Sequence, residues 1–114
     1  MSDDPPAPQQ RAGSLFAGIP ADLPAELTEE LVRSEHVRIE RIVSRGHTSL
    51  PGFWYDQEEN EWVVVLSGWA ELTYSDGSSI RLGAGDWISI PAGVKHRVEG
   101  TDPDQDTVWL AIFF

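Results

Sequence analysis

The stretch of residues 55–98 constrains the fold of this chain more than any other part of the sequence. It contains two short apolar runs, residues 62–66 and 87–90, which are rich in Val, Ile and Trp and have Gly, Pro or Asp close to their ends. Such runs are typical of buried β-strands. Glu61 directly precedes the first run, and His96 follows the second after a Pro-Ala-Gly turn. A carboxylate and an imidazole therefore lie at strand ends, where a barrel could bring them together.

The rest of the chain continues this pattern of short strands and tight turns. Asp76-Gly77 indicates a hairpin because both residues tolerate a positive φ angle. Eight strands are predicted, at residues 37–43, 53–57, 61–66, 69–74, 79–82, 87–90, 95–99 and 107–113. Many short strands separated by turns predict an all-β protein, either a sandwich or a barrel.

One short N-terminal helix is expected before the first strand. Asp22 and Pro24 are helix-start residues, because one can accept hydrogen bonds from free amides and the other needs no N–H partner. Leucines then recur at every fourth position from Leu23 to Leu31. This spacing predicts an amphipathic helix over about residues 23–33.

Three regions follow from these observations. Residues 1–14 contain three prolines and no apolar periodicity, and are predicted to be a disordered tail. Residues 15–35 would form an N-terminal arm with the short helix. Residues 36–114 would form the barrel.

The segments 61–68 and 85–96 resemble the two motifs of the cupin family. The first family motif ends with Glu, six residues and Gly, and the second is Gly, five residues, Pro-x-Gly, two residues and His. The matching positions here are Glu61, Gly68, Gly85, Pro91, Gly93 and His96. The resemblance covers about half of the chain. It implies a small single-domain protein with a double-stranded β-helix, the RmlC-like jelly-roll barrel.

The chain departs from the family pattern in the first motif. Where the family has His-x-His, this chain has Tyr55-Asp56-Gln57, or Trp54 and Asp56 if four residues intervene before Glu61. The Asn that closes the second family motif is replaced by Gly100.

The resemblance implies a site inside the barrel. Tyr55 and Gln57 are two residues apart and share one face of a strand, and in the cupin register they point inward with Glu61 and His96. These four residues are the expected ligands of a divalent metal, and imidazole with oxygen donors suits Zn, Mn, Fe or Ni. Such an ion would be held less tightly than by three histidines and a glutamate.

Three functions remain open from the sequence. The first is a small cupin-type protein that binds a divalent metal and a small polar molecule in its barrel. The second is a metal-free module in which Tyr55, Gln57, Glu61 and His96 bind the small molecule directly. The third is a scaffold for interactions with other proteins. In the first two cases Trp54 and Trp109 are expected at the rim of the pocket.

The composition excludes several other classes of function. The net charge of −11 argues against nucleic acid and against anionic membrane surfaces as partners. The absence of cysteine excludes disulfides and thiolate sites. No apolar run approaches the roughly 18 residues of a membrane span, and the acidic start of the chain does not resemble a signal peptide. We therefore expect a cytoplasmic protein.

A homodimer is the expected assembly. Large apolar side chains alternate onto both faces of the strands predicted at residues 62–66 and 87–90. One face would fill the barrel, and the resemblance implies that the other is buried against a second copy of the chain.

Overall fold

A computed structural model describes residues 10–114 and shows an all-β chain with eight strands. The strands are β1 Leu27–Arg33, β2 Arg38–Ser44, β3 Glu61–Ser67, β4 Trp69–Tyr74, β5 Ser79–Gly83, β6 Trp87–Ile90, β7 His96–Thr101 and β8 Thr107–Phe113. They form a five-stranded sheet in the order β1-β2-β8-β3-β6 and a three-stranded sheet in the order β5-β4-β7. All pairings between these strands are antiparallel. The predicted jelly-roll barrel is confirmed.

The core lies between the two sheets and follows the two-residue period of the strands. In β3, Val63 and Val65 are buried, whereas Trp62 and Val64 alternate onto the outer face and are half-buried. The buried apolar side chains between the sheets are Val63, Val65, Ala70, Leu72, Leu82, Ile90, Val98, Trp109, Ala111 and Phe113. Because polar residues occupy the ends of several of these strands, the core leaves room for a polar site at one end.

A single residue, Gly68, connects β3 to β4 and so takes the chain from the five-stranded sheet to the three-stranded sheet. Ser67 ends β3 in the five-stranded sheet, and Trp69 begins β4 in the three-stranded sheet. Gly68 has φ +74°, and a Cβ atom placed there would lie 2.8 Å from Thr107 Cα and 2.9 Å from the carbonyl oxygen of Asp106. The position therefore requires glycine for both its backbone conformation and its closeness to the start of β8.

The predicted helix over residues 23–33 is wrong, because residues 27–33 form strand β1. Leu27, Glu29 and Leu31 are half-buried, and the residues between them are exposed. A four-residue spacing of leucines is a multiple of two and close to 3.6, so it fits a strand as well as a helix. Pairing with β2 decides in favour of the strand, and the five-stranded sheet therefore begins at Leu27 rather than near residue 36.

Two other predictions concern irregular segments. The strand predicted at residues 53–57 is wrong, since the segment makes only a single bridge, between Tyr55 and His96. Of the predicted disordered tail, residues 1–9 lie outside the described residues. Residues 10–14 are exposed without regular secondary structure, and the Arg11 guanidinium donates a hydrogen bond to the Leu31 carbonyl.

Residues 15–26, which we call the N-terminal arm, run along the outer face of the five-stranded sheet. The buried guanidinium of Arg41, on β2, donates hydrogen bonds to the carbonyls of Leu15 and Ala17 and pairs with Glu29. Arg45 donates a hydrogen bond to the Ala21 carbonyl, 2.8 Å away. The arm thus covers the β1–β2 side of this face.

Candidate functional site

A cavity of about 260 Å³ lies inside the barrel between the two sheets. Its wall combines inward-facing residues of β1, β2, β3, β4, β7 and β8 with Glu26, directly before β1, and with two residues from the segment before β3. The lining residues are Glu26, Thr28, Arg38, Glu40, Ile42, Tyr55, Gln57, Glu61, Leu72, His96, Val98, Trp109 and Phe113. The cavity therefore has an apolar floor and several ionisable groups.

His96 is the first residue of β7 and is only 4% exposed. Its Nδ1 lies 3.0 Å from the carbonyl oxygen of Val94. A carbonyl can only accept a hydrogen bond, so Nδ1 carries the proton, and in the neutral ring Nε2 has a free lone pair. Nε2 has no hydrogen-bond partner among the described residues and lies 3.8 Å from Oε1 of Glu61. It is therefore an acceptor available to the cavity.

The turn before β7 holds His96 in this position. The N–H of Gly93 donates a hydrogen bond to the Gln57 carbonyl, 2.8 Å away, and the N–H of Val94 bonds to the Pro91 carbonyl at 3.2 Å. The Pro-x-Gly turn is thereby tied to the segment that carries Gln57. This connection explains how a motif in one part of the chain places its histidine beside residues from another.

Glu61 is the first residue of β3, where it pairs with Ile90 on β6 and Phe113 on β8. Its side chain is 13% exposed, and its Oε1 accepts a hydrogen bond of 3.0 Å from Nε2 of Gln57. Gln57 thus presents its amide nitrogen, rather than its oxygen, to the carboxylate. Glu61 remains available as an acceptor, and together with His96 Nε2 it could accept a hydrogen bond or a proton from a bound molecule.

Tyr55 covers the other side of His96. The two backbones exchange hydrogen bonds of 2.7 and 3.1 Å, and the two rings stack with their centres 5.4 Å apart. Burial raises the pKa of the Tyr55 phenol, and the nearby carboxylates of Glu26, Glu61 and Glu40 raise it further. The phenol is therefore neutral at ordinary pH and is a hydrogen-bonding group rather than an anionic metal ligand.

The wall formed by β1 and β2 contributes charged residues that the sequence analysis missed. Arg38, Glu40 and Ile42 are two residues apart and lie together on the inner face of β2. Their alternation with the residues between them was a usable signal in the sequence. Glu26 had no such signal, because its segment was interpreted as the start of a helix. Its Oε2 accepts a hydrogen bond of 2.8 Å from Ser44 Oγ, which in turn accepts one from Trp109 Nε1.

The structure brings most of the expected site residues to this cavity. Tyr55, Gln57, Glu61, His96 and Trp109 all line it. Trp54 does not, since it is 37% exposed and its ring centre lies 5.9 Å from the Arg97 guanidinium. The segment around Trp54 is not a regular strand and makes only the bridge between Tyr55 and His96.

The donor set offers little to a tightly bound metal ion. Among residues 10–114 there is no group of three or more His, Cys, Asp or Glu side chains that could hold one. Glu61 and His96 are the two strong donors, Gln57 presents its nitrogen to Glu61, and the Tyr55 phenol is neutral. These residues do not fit a closed metal site of four protein ligands.

Comparison with known proteins identifies the family. The family model of the cupin domain matches residues 42–113, well over half of the chain. This chain belongs to the cupin family. Among solved structures, the cupin is similar to a protein from Ralstonia eutropha JMP134 provisionally described as a mannose-6-phosphate isomerase. The two share 41% identity over 91% of this chain and 97% of that one, with a TM-score of 0.87.

Two further solved structures agree with the cupin in fold alone. One is a cupin superfamily protein from Desulfitobacterium hafniense DCB-2, with 23% identity, coverage of 94% and 93%, and a TM-score of 0.74. The other is an RmlC-like cupin with a double-stranded β-helix fold from Methanocaldococcus jannaschii, with 21% identity, coverage of 84% and 85%, and a TM-score of 0.66. None of the curated proteins matches this cupin significantly.

No helix among residues 10–114 is long and apolar enough to cross a membrane. The cytoplasmic location expected from the sequence stays a prediction.

Proposed function

We propose that this cupin binds a small polar molecule directly in its barrel cavity, without a metal ion, through Glu61 and His96. The observation that supports this most is the state of His96. Its side chain is almost fully buried, its Nδ1 is bonded to a backbone carbonyl, and its Nε2 faces the cavity without a partner among the described residues. A hydrogen bond that a ligand donates to Nε2 would contribute about 0.5–1.5 kcal/mol to binding.

The cavity also supports a limit on ligand size. Its volume of about 260 Å³ lies just below the roughly 300–1,000 Å³ of pockets that hold drug-sized molecules. The apolar side chains of Leu72, Val98 and Phe113 on its wall fit the carbon skeleton of a short polar molecule, and the ionisable groups fit its hydrogen-bonding substituents.

The relative from Ralstonia eutropha suggests phosphorylated sugars as candidates to test. Among residues 10–114, the one guanidinium on the cavity wall is that of Arg38, which is already paired with Glu40 and Glu59. A phosphate group prefers bidentate contacts with free arginines. The charges of the cavity therefore favour an unphosphorylated ligand.

The proposal is tested with protein that has been treated with a chelator and shown by elemental analysis to be free of transition metals. Two series of small molecules serve as probes. The first is 3-aminopropanol, propane-1,3-diol and 3-hydroxypropanoate, and the second is mannosamine, mannose and mannose-6-phosphate. At least one probe should raise the melting temperature of the metal-free protein, because a ligand that binds only the folded state stabilises it.

Two variants test whether the probes bind in the barrel cavity. His96→Ala should abolish the thermal shift, whereas His36→Ala is the matched control, since the His36 side chain is 85% exposed. If no probe binds the metal-free protein, or if His96→Ala binds as well as wild type, the proposal is refuted.

A second candidate is a divalent metal ion, and one distance favours it. Glu61 Oε1 and His96 Nε2 are 3.8 Å apart, and one ion at about 2.0–2.2 Å from each could contact both. Gln57 and Tyr55 would complete the set only if the Gln57 amide turned its oxygen inward. Elemental analysis after incubation with Zn, Mn, Fe or Ni and dialysis tests this candidate, and a bound ion that His96→Ala releases would support it.

We also propose that the cupin is a homodimer. The N-terminal arm covers only part of the outer face of the five-stranded sheet. On the remaining part, Trp62 and Trp87 stack with their ring centres 5.8 Å apart, and Trp87 is 60% exposed. An exposed apolar patch of this kind supports an interface with a second copy of the chain.

A further inference from the structure

We infer that the barrel cavity selects a cationic ligand, a small molecule with a primary ammonium group, over a neutral or anionic molecule of the same size. The inference rests on the proposed function, because it takes the barrel cavity as the binding site. It adds the chemical class of the ligand.

The first argument is the balance of charges on the cavity wall. Three carboxylates, Glu26, Glu40 and Glu61, line the cavity together with one guanidinium, Arg38. Arg38 donates hydrogen bonds to Glu40 at 3.1 Å and to Glu59 at 2.9 Å. The Arg38 guanidinium is therefore already paired with two carboxylates, one of them outside the cavity.

The second argument concerns the partners of the other two carboxylates. Glu26 accepts a hydrogen bond from Ser44, and Glu61 accepts one from Gln57. Both donors are neutral, and no Lys or Arg in residues 10–114 forms an ion pair with either carboxylate. The imidazole of His47 lowers the pKa of Glu26 through its charge, but the two side chains share no hydrogen bond. Two poorly solvated carboxylates thus lack a full cationic partner, which a bound cation would supply.

The third argument is independent of the carboxylates. His96 Nε2 is a hydrogen-bond acceptor in a side chain that is nine-tenths buried, and it has no donor among the described residues. Nε2 and the two carboxylates all need donated hydrogens. A primary ammonium group has three donors and no acceptor, so it fits this set better than a hydroxyl, which also presents lone pairs.

The electrostatic potential inside the cavity also favours a cationic ligand. The carboxylates of Glu26, Glu61 and Glu40 all raise the pKa of Tyr55, which shows that their negative charge acts on one shared region of the cavity. Hydrogen bonds between charged groups are about twice as strong as those between neutral ones. An ammonium group would gain from this field, whereas a carboxylate or phosphate would be repelled.

The test measures dissociation constants by calorimetry with both series. In the first series one terminal substituent changes from ammonium to hydroxyl to carboxylate. In the second, an ammonium replaces the 2-hydroxyl of mannose in mannosamine, and a phosphate is added at the 6-hydroxyl in mannose-6-phosphate. We expect 3-aminopropanol to bind at least ten times more tightly than propane-1,3-diol, or mannosamine at least ten times more tightly than mannose. The anionic members of both series should bind least. Glu26→Gln should reduce the ratio of the affinities for the ammonium and the neutral member several-fold, because it removes one of the carboxylates on the cavity wall. Glu35→Gln is the control, since the Glu35 side chain is 87% exposed.

The outcomes separate this inference from the proposed function. If a neutral or anionic member binds as tightly as its ammonium counterpart in every series that binds, the inference is overturned, although the barrel still binds small polar molecules. If Glu26→Gln keeps the full preference, the assignment of that carboxylate is overturned. If no member of either series binds, the proposed function fails and the inference fails with it.

Discussion

Replacing Gly68 by alanine should destabilise this protein far more than replacing a glycine of similar backbone conformation elsewhere. Gly68 has φ +74°, and its Cβ would lie 2.3 Å from Thr107 Oγ1 and 2.8 Å from Thr107 Cα. The hydroxyl could rotate away, but the Cα atom belongs to the backbone at the start of β8. Gly52 provides the control, because it has φ +78° and a Cβ there would meet nothing within 4 Å.

The magnitude follows from two separate costs. An alanine in the left-handed region costs about 1–2 kcal/mol, and both variants incur this cost. Only Gly68→Ala adds an overpacking cost, about 1–3 kcal/mol for forcing the backbone apart. The expected loss of unfolding free energy is thus about 2–5 kcal/mol for Gly68→Ala and about 1–2 kcal/mol for Gly52→Ala. At about 4 °C per kcal/mol for a domain of this size, these losses lower the melting temperature by about 8–20 °C and about 4–8 °C.

Thermal unfolding followed by circular dichroism measures both variants under the same conditions. The difference between them isolates the contact between Gly68 and Thr107. Equal melting temperatures for the two variants would refute the claim that the crossing between the sheets is closely packed there.

Three further predictions concern pH, the N-terminal arm and the assembly. Burial raises the pKa of Glu26 above 4.5 despite opposing contributions from a hydrogen bond and a nearby imidazole. The folded protein therefore binds this proton more tightly than the unfolded chain and loses stability as pH rises from about 4.5 through the raised pKa. The melting temperature of Glu26→Gln relative to wild type should rise across that window, and a constant difference would contradict the shift. Arg41→Met should lower stability by about 2 kcal/mol and expose the N-terminal arm to limited proteolysis, whereas Arg11→Met, at an exposed position, should do neither. Light scattering should give about twice the chain mass of 12.6 kDa. Trp87→Glu should give a monomer. Leu50→Glu should remain a dimer, because Leu50 is 76% exposed and lies outside the face that carries Trp87.

Much of the barrel could be predicted from the sequence, because its signals are local. Strands β3 and β6 show short apolar runs with breakers at their ends, and the spacing of Glu61 to Gly68 and of Pro91 to His96 fixes the motifs. Such constraints act within a few residues, so they are visible before any tertiary structure is known.

The errors arose where tertiary pairing decides the local structure. The spacing of Leu27 and Leu31 fits both a helix and a strand, and only the pairing of this segment with β2 makes it β1. Trp54 could not be placed, because its segment forms one bridge rather than a strand. Alternation in the sequence indicates that Arg38 and Glu40 share one face of β2. That this face and Glu26 line the cavity depends on β1 and β2 extending the sheet over it, which is a matter of tertiary pairing.

The most direct test of direct ligand binding is the ¹⁵N NMR signal of His96 Nε2 in metal-free protein during titration with 3-aminopropanol. His36 and His47 are internal references, since the first is exposed and the Nδ1 atom of the second accepts a hydrogen bond from the Arg45 N–H. The account predicts that the His96 Nε2 signal alone shifts, in the direction of an acceptor gaining a hydrogen bond, and saturates at one ligand per chain. A His96 signal that stays unchanged at saturation, or that shifts only after a divalent metal is added, would contradict it.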